Sequence, residues 1–311
     1  MNIIEVKSLT KKFGNITAVD NLFFSVPEKS IFAVIGRNGA GKTTTLRMML
    51  NIYQPDQGEI IYHFNEKNYN STNQEIYKYL SYLPEERGLY KKMTVWDTIV
   101  FFAELKQSYN SQTKKLIDHY LEKFNLKDRK TSKIQDLSKG NQQKIQFIAT
   151  IISNPQILFL DEPFSGLDPI NINLMKDIIL EEKQKGKTII YSTHLIDFAE
   201  KMSDEVLFID NGKNILCGNV NEVKQNFAKS NIILNCDENF NNLDFSNFID
   251  TYSSFGKSKS IKLKDNIKPQ DFLKHLIDNN ITINGFTAND ISLQDIFLSL
   301  VKNPAEVENG L

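Results

Sequence analysis

The run IFAVIGRNGAGKTTTLRMML, residues 31–50, restricts the fold of this 311-residue chain more than any other stretch. IFAVIG (31–36) is almost continuously apolar, the mark of a strand covered on both faces. GRNGAGKT (36–43) follows without a gap, satisfies the spacing GxxxxGK[ST], and leads into a helix expected from Lys42 to about Leu50. Gly36, Gly39 and Gly41 let the backbone curl so that successive N–H groups point inward at an anion. The helix beginning at Lys42 adds the partial positive charge of its N-terminus. Lys42 is expected to reach the β- and γ-phosphates and Thr43 to offer a hydroxyl to magnesium, with Arg37, Asn38, Ala40 and Thr44 completing the loop. The segment predicts a nucleoside triphosphate site.

A second half of that site is legible further on. ILFLDEP (157–163) is another buried strand, ending on Asp161, which is placed to hold magnesium beside Thr43. Glu162 follows at once, where it could orient or deprotonate an attacking water. His194 comes directly after a third buried strand, TIIYST (188–193), at the sheet edge where ligands of open α/β sheets bind, and is expected to contact the γ-phosphate.

Around these strands the chain reads as a parallel α/β core with an inserted helical lobe. Residues 2–7 and 18–26 look like strands joined by a turn at Phe13-Gly14-Asn15, EIIYH (59–63) like a strand, and polar NEKNYNSTN (65–73) like a surface loop. From about 85 to 152 helices dominate: Thr94 and Asp97 form a capping pattern ahead of IVFFAEL, and 113–124 carries an apolar stripe at 116, 117, 120, 121 and 124. EVLFID and KNILCG flank Asn211-Gly212, a hairpin signal. After about residue 222 Asn, Asp, Ser and Lys become common, and strands at 231–236, 260–264 and 281–286 with helices at 269–278 and 292–301 predict a small α+β domain. The expected domains are therefore 1–222 and 223–311.

A net charge of −1 argues against a nucleic-acid partner. Cys217 and Cys236 lack metal or redox spacing and read as small buried apolar residues in a reducing compartment. No apolar run approaches the length that spans a bilayer, so any membrane role is expected to act through a partner.

LSKGNQQK (137–144) holds no nucleophile, metal ligand or acid–base pair. Ser138 fits an N-cap, with Ile145, Ile148 and Ile152 on the buried side, but Asn141 stands where a capping box has Glu or Gln. The first turn thus lacks an acidic side chain and suits an external anion. The phosphate loop, LSKGNQQK, ILFLDEP, SGLD (165–168) and His194, in that order, resemble the ATP-binding subunit of ABC transporters over about residues 1–220. The ending SLQDIFLSLV resembles the accessory domain of the sodium- or drug-efflux branch. The resemblance implies a P-loop NTPase core with an antiparallel β subdomain and helical lobe, plus a small C-terminal α+β domain.

It also implies ATP and Mg²⁺ as ligands and two ATPase subunits, identical or not, closing on ATP. Ser138, Lys139, Gly140 and Asn141 would then meet the γ-phosphate across the dimer, and Asp168 would help join the halves. In YLPEERGLY (82–90), Glu85 takes the place of the family's magnesium-facing glutamine, and Phe13 takes that of the adenine-stacking aromatic. Export through a separate multi-spanning permease follows by resemblance, with the subunit peripheral on the cytoplasmic face of the membrane. The competing reading is a soluble ATP switch that remodels a complex without transport.

Overall fold

β1 (Asn2–Phe13) and β2 (Ile16–Pro27) are both longer than the alternation at 2–7 and 18–26 predicts. The strands pass through polar KSLTKK because bulges absorb the mismatch: the register shifts between Val6 and Leu9, and Ser8 and Asn21 take φ of 51° and 52°. In this computed structural model the described residues are 1–64, 66–228, 231–236, 245, 247–255, 258–264, 267–279, 281–288 and 291–302. They fall into two units, Met1–Cys217 and Gly218–Leu311, dividing ahead of the compositional shift near 222.

β3 (Ile31–Ile35) is buried at every residue, and α1 (Lys42–Met49) follows the phosphate loop. β4 (Gln57–Phe64) and β5 (Lys67–Asn70) complete an antiparallel sheet in the order β2-β1-β4-β5. The expected loop at 65–73 is therefore partly a strand. Its side chains are mostly exposed, so no apolar alternation reveals it, and backbone pairing to β4 alone defines it. Asn65 of that stretch lies outside the described residues.

β6 (Leu80–Leu83) leads into the lobe of α2 (Val95–Leu105), α3 (Ser111–Lys123) and α4 (Lys139–Ile151). Thr94 caps α2 by accepting from the Asp97 amide at 3.1 Å. Trp96 of α2 packs within the lobe, with Lys130 Nζ 3.6 Å from its ring centroid. The chain returns through β7 (Ile157–Asp161), α5 (Pro169–Gln184), β8 (Thr188–Thr193), α6 (Ile196–Met202), β9 (Glu205–Asp210) and β10 (Lys213–Asn219). The six-stranded sheet has the order β10-β9-β3-β8-β7-β6, with β9, β3, β8, β7 and β6 parallel. One apolar cluster joins Ile4, Leu22 and Ile60 of the antiparallel sheet, Leu46 of α1, and Phe32, Phe159 and Ile190 of the parallel one. That cluster fixes the phosphate loop between the two sheets.

The second unit contains α7 (Val220–Ala228), β11 (Asn231–Cys236), β12 (Ile249–Phe255), β13 (Ser258–Leu263), α8 (Pro269–Asp278), β14 (Ile283–Ala288) and α9 (Leu293–Lys302). Its antiparallel sheet runs β12-β13-β11-β14 over a core of Ile232, Leu234, Ile261, Leu263, Phe272 and Leu276. β12 was not foreseen, since IDTYSSF carries little apolar alternation. Cys236 is buried, but Cys217 is exposed, which corrects the expectation of two buried thiols. Residues 303–311 of the expected C-terminal domain lie outside the described residues.

Candidate functional site

Parallel pairing sets the site. Ile35 of β3 is level with Thr193 of β8, Asp161 of β7 with Ser192, and Leu83 of β6 with Leu160, so four strand ends deliver their next residues to one edge. The loop after β3 cannot carry side chains at two of its glycines. A Cβ on Gly36 would lie 2.3 Å from the Ile209 carbonyl oxygen, and one on Gly41, at φ 108°, would lie 2.5 Å from that of Ala18. Gly41 is also the N-cap of α1, whose first turn has no side-chain cap and no acidic residue. The bare amides face a cavity of about 230 Å³ lined by Arg37, Asn38, Gly39, Ala40, Gly41, Lys42, Thr43, Thr44, Glu85 and Glu162 together with Ala18.

Lys42 is buried, and its ammonium donates to the carbonyls of Gly36 at 2.8 Å and Arg37 at 3.2 Å. It also lies 3.2 Å from Glu162 Oε1, while Glu162 Oε2 is 3.0 Å from His194 Nδ1. One carboxylate therefore bridges the phosphate-loop lysine and the histidine. Glu162 holds a left-handed φ of 46°, uncommon outside glycine, and its amide donates to Ser192 Oγ at 2.9 Å.

Asp161 is fully buried. Its Oδ1 accepts from Thr43 Oγ1 at 2.9 Å and Ser192 Oγ at 2.6 Å, and its Oδ2 from Tyr82 Oη at 3.2 Å. Burial first, and then the Asp161 charge, push the Tyr82 phenol well above its ordinary range, so its proton stays in that bond. A hydroxyl and a carboxylate oxygen at this spacing are hard donors that fit Mg²⁺. Tyr82 and Ser192 were missed by sequence reasoning. The available signals were YLSYLP, whose aromatic and aliphatic residues favour a strand, and the polar end of TIIYST.

Ser138 caps α4 as expected, accepting from the Asn141 amide at 3.3 Å, and the first turn carries no acidic residue. Ser138, Lys139, Gly140 and Asn141 do not line the phosphate cavity of their own chain. Asp168 has a task the sequence did not show: it caps α5, accepting from the amides of Ile170 and Asn171 at 3.1 and 3.0 Å. The Asn171 amide holds its carboxyl below the usual carboxylate range. Phe13 is 44% exposed on the β1–β2 turn, edge-on to Tyr53, and lies outside the residues lining the cavity.

A second cavity, a groove of about 420 Å³, opens where the lobe meets the core. Its walls include Leu50, Ile52, Tyr82, Leu89, Phe102 and Gln146. Gln146 of α4 donates to the carbonyls of Pro84 and Glu86, both at 3.1 Å, fixing the backbone on either side of Glu85.

A family model described as ABC transporter matches residues 19–165. YhaQ of Bacillus subtilis, an ABC transporter ATP-binding protein, is 36% identical over 299 residues, covering 96% of this chain and 98% of its own. The chain belongs to the ABC transporter ATP-binding proteins. An ABC transporter ATP-binding protein of Methanocaldococcus jannaschii is 44% identical over 225 residues, 72% of this chain and 80% of that one. The bacitracin transport ATP-binding protein BcrA of Enterococcus faecalis is 30% identical over 228 residues, 73% of this chain and 72% of its own. A solved ATP-binding subunit of an ABC transporter superposes with a TM-score of 0.66 at 28% identity, covering 72% of this chain and 93% of that one. The second unit of this ABC ATPase matches, over residues 218–301, the C-terminal domain of DrrA1-3-like ATP-binding proteins. As an ABC transporter subunit the protein binds ATP and hydrolyses it to power transport. No helix among the described residues is long and apolar enough to cross a membrane.

Proposed function

We propose that this subunit drives export through a separate membrane permease, with ATP sandwiched between two ATPase subunits and Mg²⁺ at each site. The observation that carries the reading is the Lys42–Glu162–His194 arrangement beside the bare N-terminus of α1. The amides of residues 39–44 bind the triphosphate, and Lys42 leaves the Gly36 and Arg37 carbonyls to meet the β- and γ-phosphates. Thr43 and Asp161, with Glu85 nearby, would hold Mg²⁺, which supplies charge neutralisation of the phosphates. Glu162 then accepts the proton of the attacking water, and His194, hydrogen-bonded to Oε2, orients that carboxylate and meets the γ-phosphate. Arg37, Asn38 and Ala40 line the phosphates, and Phe13 stacks on the base from the exposed β1–β2 turn.

The first turn of α4, capped by Ser138 but without an acidic side chain, supports a γ-phosphate contact from the other subunit through Ser138, Lys139, Gly140 and Asn141. Asp168 contributes to the same face through the loop it caps. The permease contacts the lobe, and the groove between Phe102 and Ile52 offers the apolar surface for it. Export is favoured over a soluble remodelling switch because relatives across the length of the chain carry transport names, BcrA of Bacillus licheniformis among them at 28% identity. Peripheral attachment to the cytoplasmic face of the membrane follows from that partner. The test is the mass of Glu162→Gln in ATP and Mg²⁺: a dimer of the 35.8-kDa chain is expected. A species that stays monomeric at saturating nucleotide contradicts the proposal.

A further inference from the structure

The two oxygens of Asp161 are held by different parts of the molecule. Oδ1 is fixed from within the nucleotide core, by Thr43 at the start of α1 and Ser192 at the end of β8. Oδ2 is held from the other side, by Tyr82 at 3.2 Å. A carboxylate turns readily about its terminal torsion, so the Tyr82 bond on Oδ2 joins those of Thr43 and Ser192 in setting its plane.

The ring of Tyr82 has a second neighbourhood, since it forms part of the groove wall with Leu50, Ile52 and Phe102. The groove wall thus includes a residue whose hydroxyl is bonded to the buried Asp161 carboxylate. The geometry points to Tyr82 as a positioning residue: its hydroxyl, bonded to Oδ2, holds the orientation of Asp161. The inference rests on the reading that Asp161 faces Mg²⁺ with bound ATP.

Tyr82→Phe keeps the ring and removes only the hydroxyl. Binding of a fluorescent ATP analogue to the full chain, with and without Mg²⁺, separates the possibilities. The expected result is an unchanged affinity without Mg²⁺ and a loss of roughly tenfold in the gain that Mg²⁺ brings, the scale of one hydrogen bond to a carboxylate. Phe102→Ala, which opens the groove without touching Asp161, is expected to keep the full gain. An undiminished gain in Tyr82→Phe, or an equal loss in Phe102→Ala, overturns the positioning role. A parent protein without any gain from Mg²⁺ takes down the underlying reading instead, and this inference with it.

Discussion

Glu162 Oε1 lies 3.2 Å from Lys42 Nζ, in a pair whose side chains are both more than nine-tenths buried. In the proposed mechanism a triphosphate entering the loop is expected to compete for that ammonium and free Oε1, while Oε2 keeps His194. Glu162→Gln removes the proposed base but leaves an amide in the same place, so turnover is expected to fall by about 10²- to 10⁴-fold with ATP binding retained. Phosphate release and nucleotide titration check the two halves of that statement.

In the proposed mechanism His194 supports Glu162 and does not take the proton itself, so its loss is expected to be milder. His194→Ala lowers the catalytic rate by about tenfold or more while ATP affinity changes little, because the phosphate loop supplies the binding. A comparable loss of both in a steady-state assay contradicts the division of labour.

Gly36 is set by a close approach and Gly41 by its dihedral as well. Gly36→Ala forces a methyl into the Ile209 carbonyl and is expected to cost about 1–3 kcal/mol of stability and to abolish nucleotide binding. Gly39→Ala has open space for the methyl and pays only for its positive φ of 80°, so it should fold better than Gly36→Ala. Thermal denaturation of the two variants gives the comparison.

Most of the phosphate site was legible because strand, glycine spacing and helix sit next to one another in the chain. What stayed hidden needed distant segments to meet. Tyr82 touches Asp161 only because β6 pairs with β7, and β6 is four residues long with no flanking turn signal strong enough to mark it. Asp168 looked like a contact residue, and its capping of α5 depends on the helix beginning at Pro169. β5 escaped because exposed edge strands carry no apolar period, and the bulges at Ser8 and Asn21 lengthened β1 and β2 past the point where their alternation fails.

A buried charge cluster ties the lobe to the core. Glu182 accepts from Tyr120 Oη of α3 at 3.0 Å and from Lys185 at 2.6 Å, and pairs with buried Lys187. Burial alone pushes the Glu182 carboxyl up, but the bonds from Lys185 and Lys187 outweigh it and hold the carboxyl below its ordinary 4.5. A folded pKa below the unfolded one gives stability that is present above the unfolded value and lost as pH falls through the folded one. Glu182→Gln is therefore expected to lower stability by about 3–5 kcal/mol at neutral pH, since Lys187 is left buried, with the deficit shrinking below pH 4.5. Denaturant titrations of both proteins at neutral and acidic pH measure it.

The sandwich is tested most directly by a cross-link between two copies. One copy carries Asn38→Cys in the phosphate loop and the other Lys139→Cys at the start of α4, both with Cys217→Ser and Glu162→Gln. The account predicts rapid disulfide formation between copies in ATP and Mg²⁺ and little without nucleotide. A nucleotide-loaded dimer in which that pair never joins, while other surface pairs do, would contradict it.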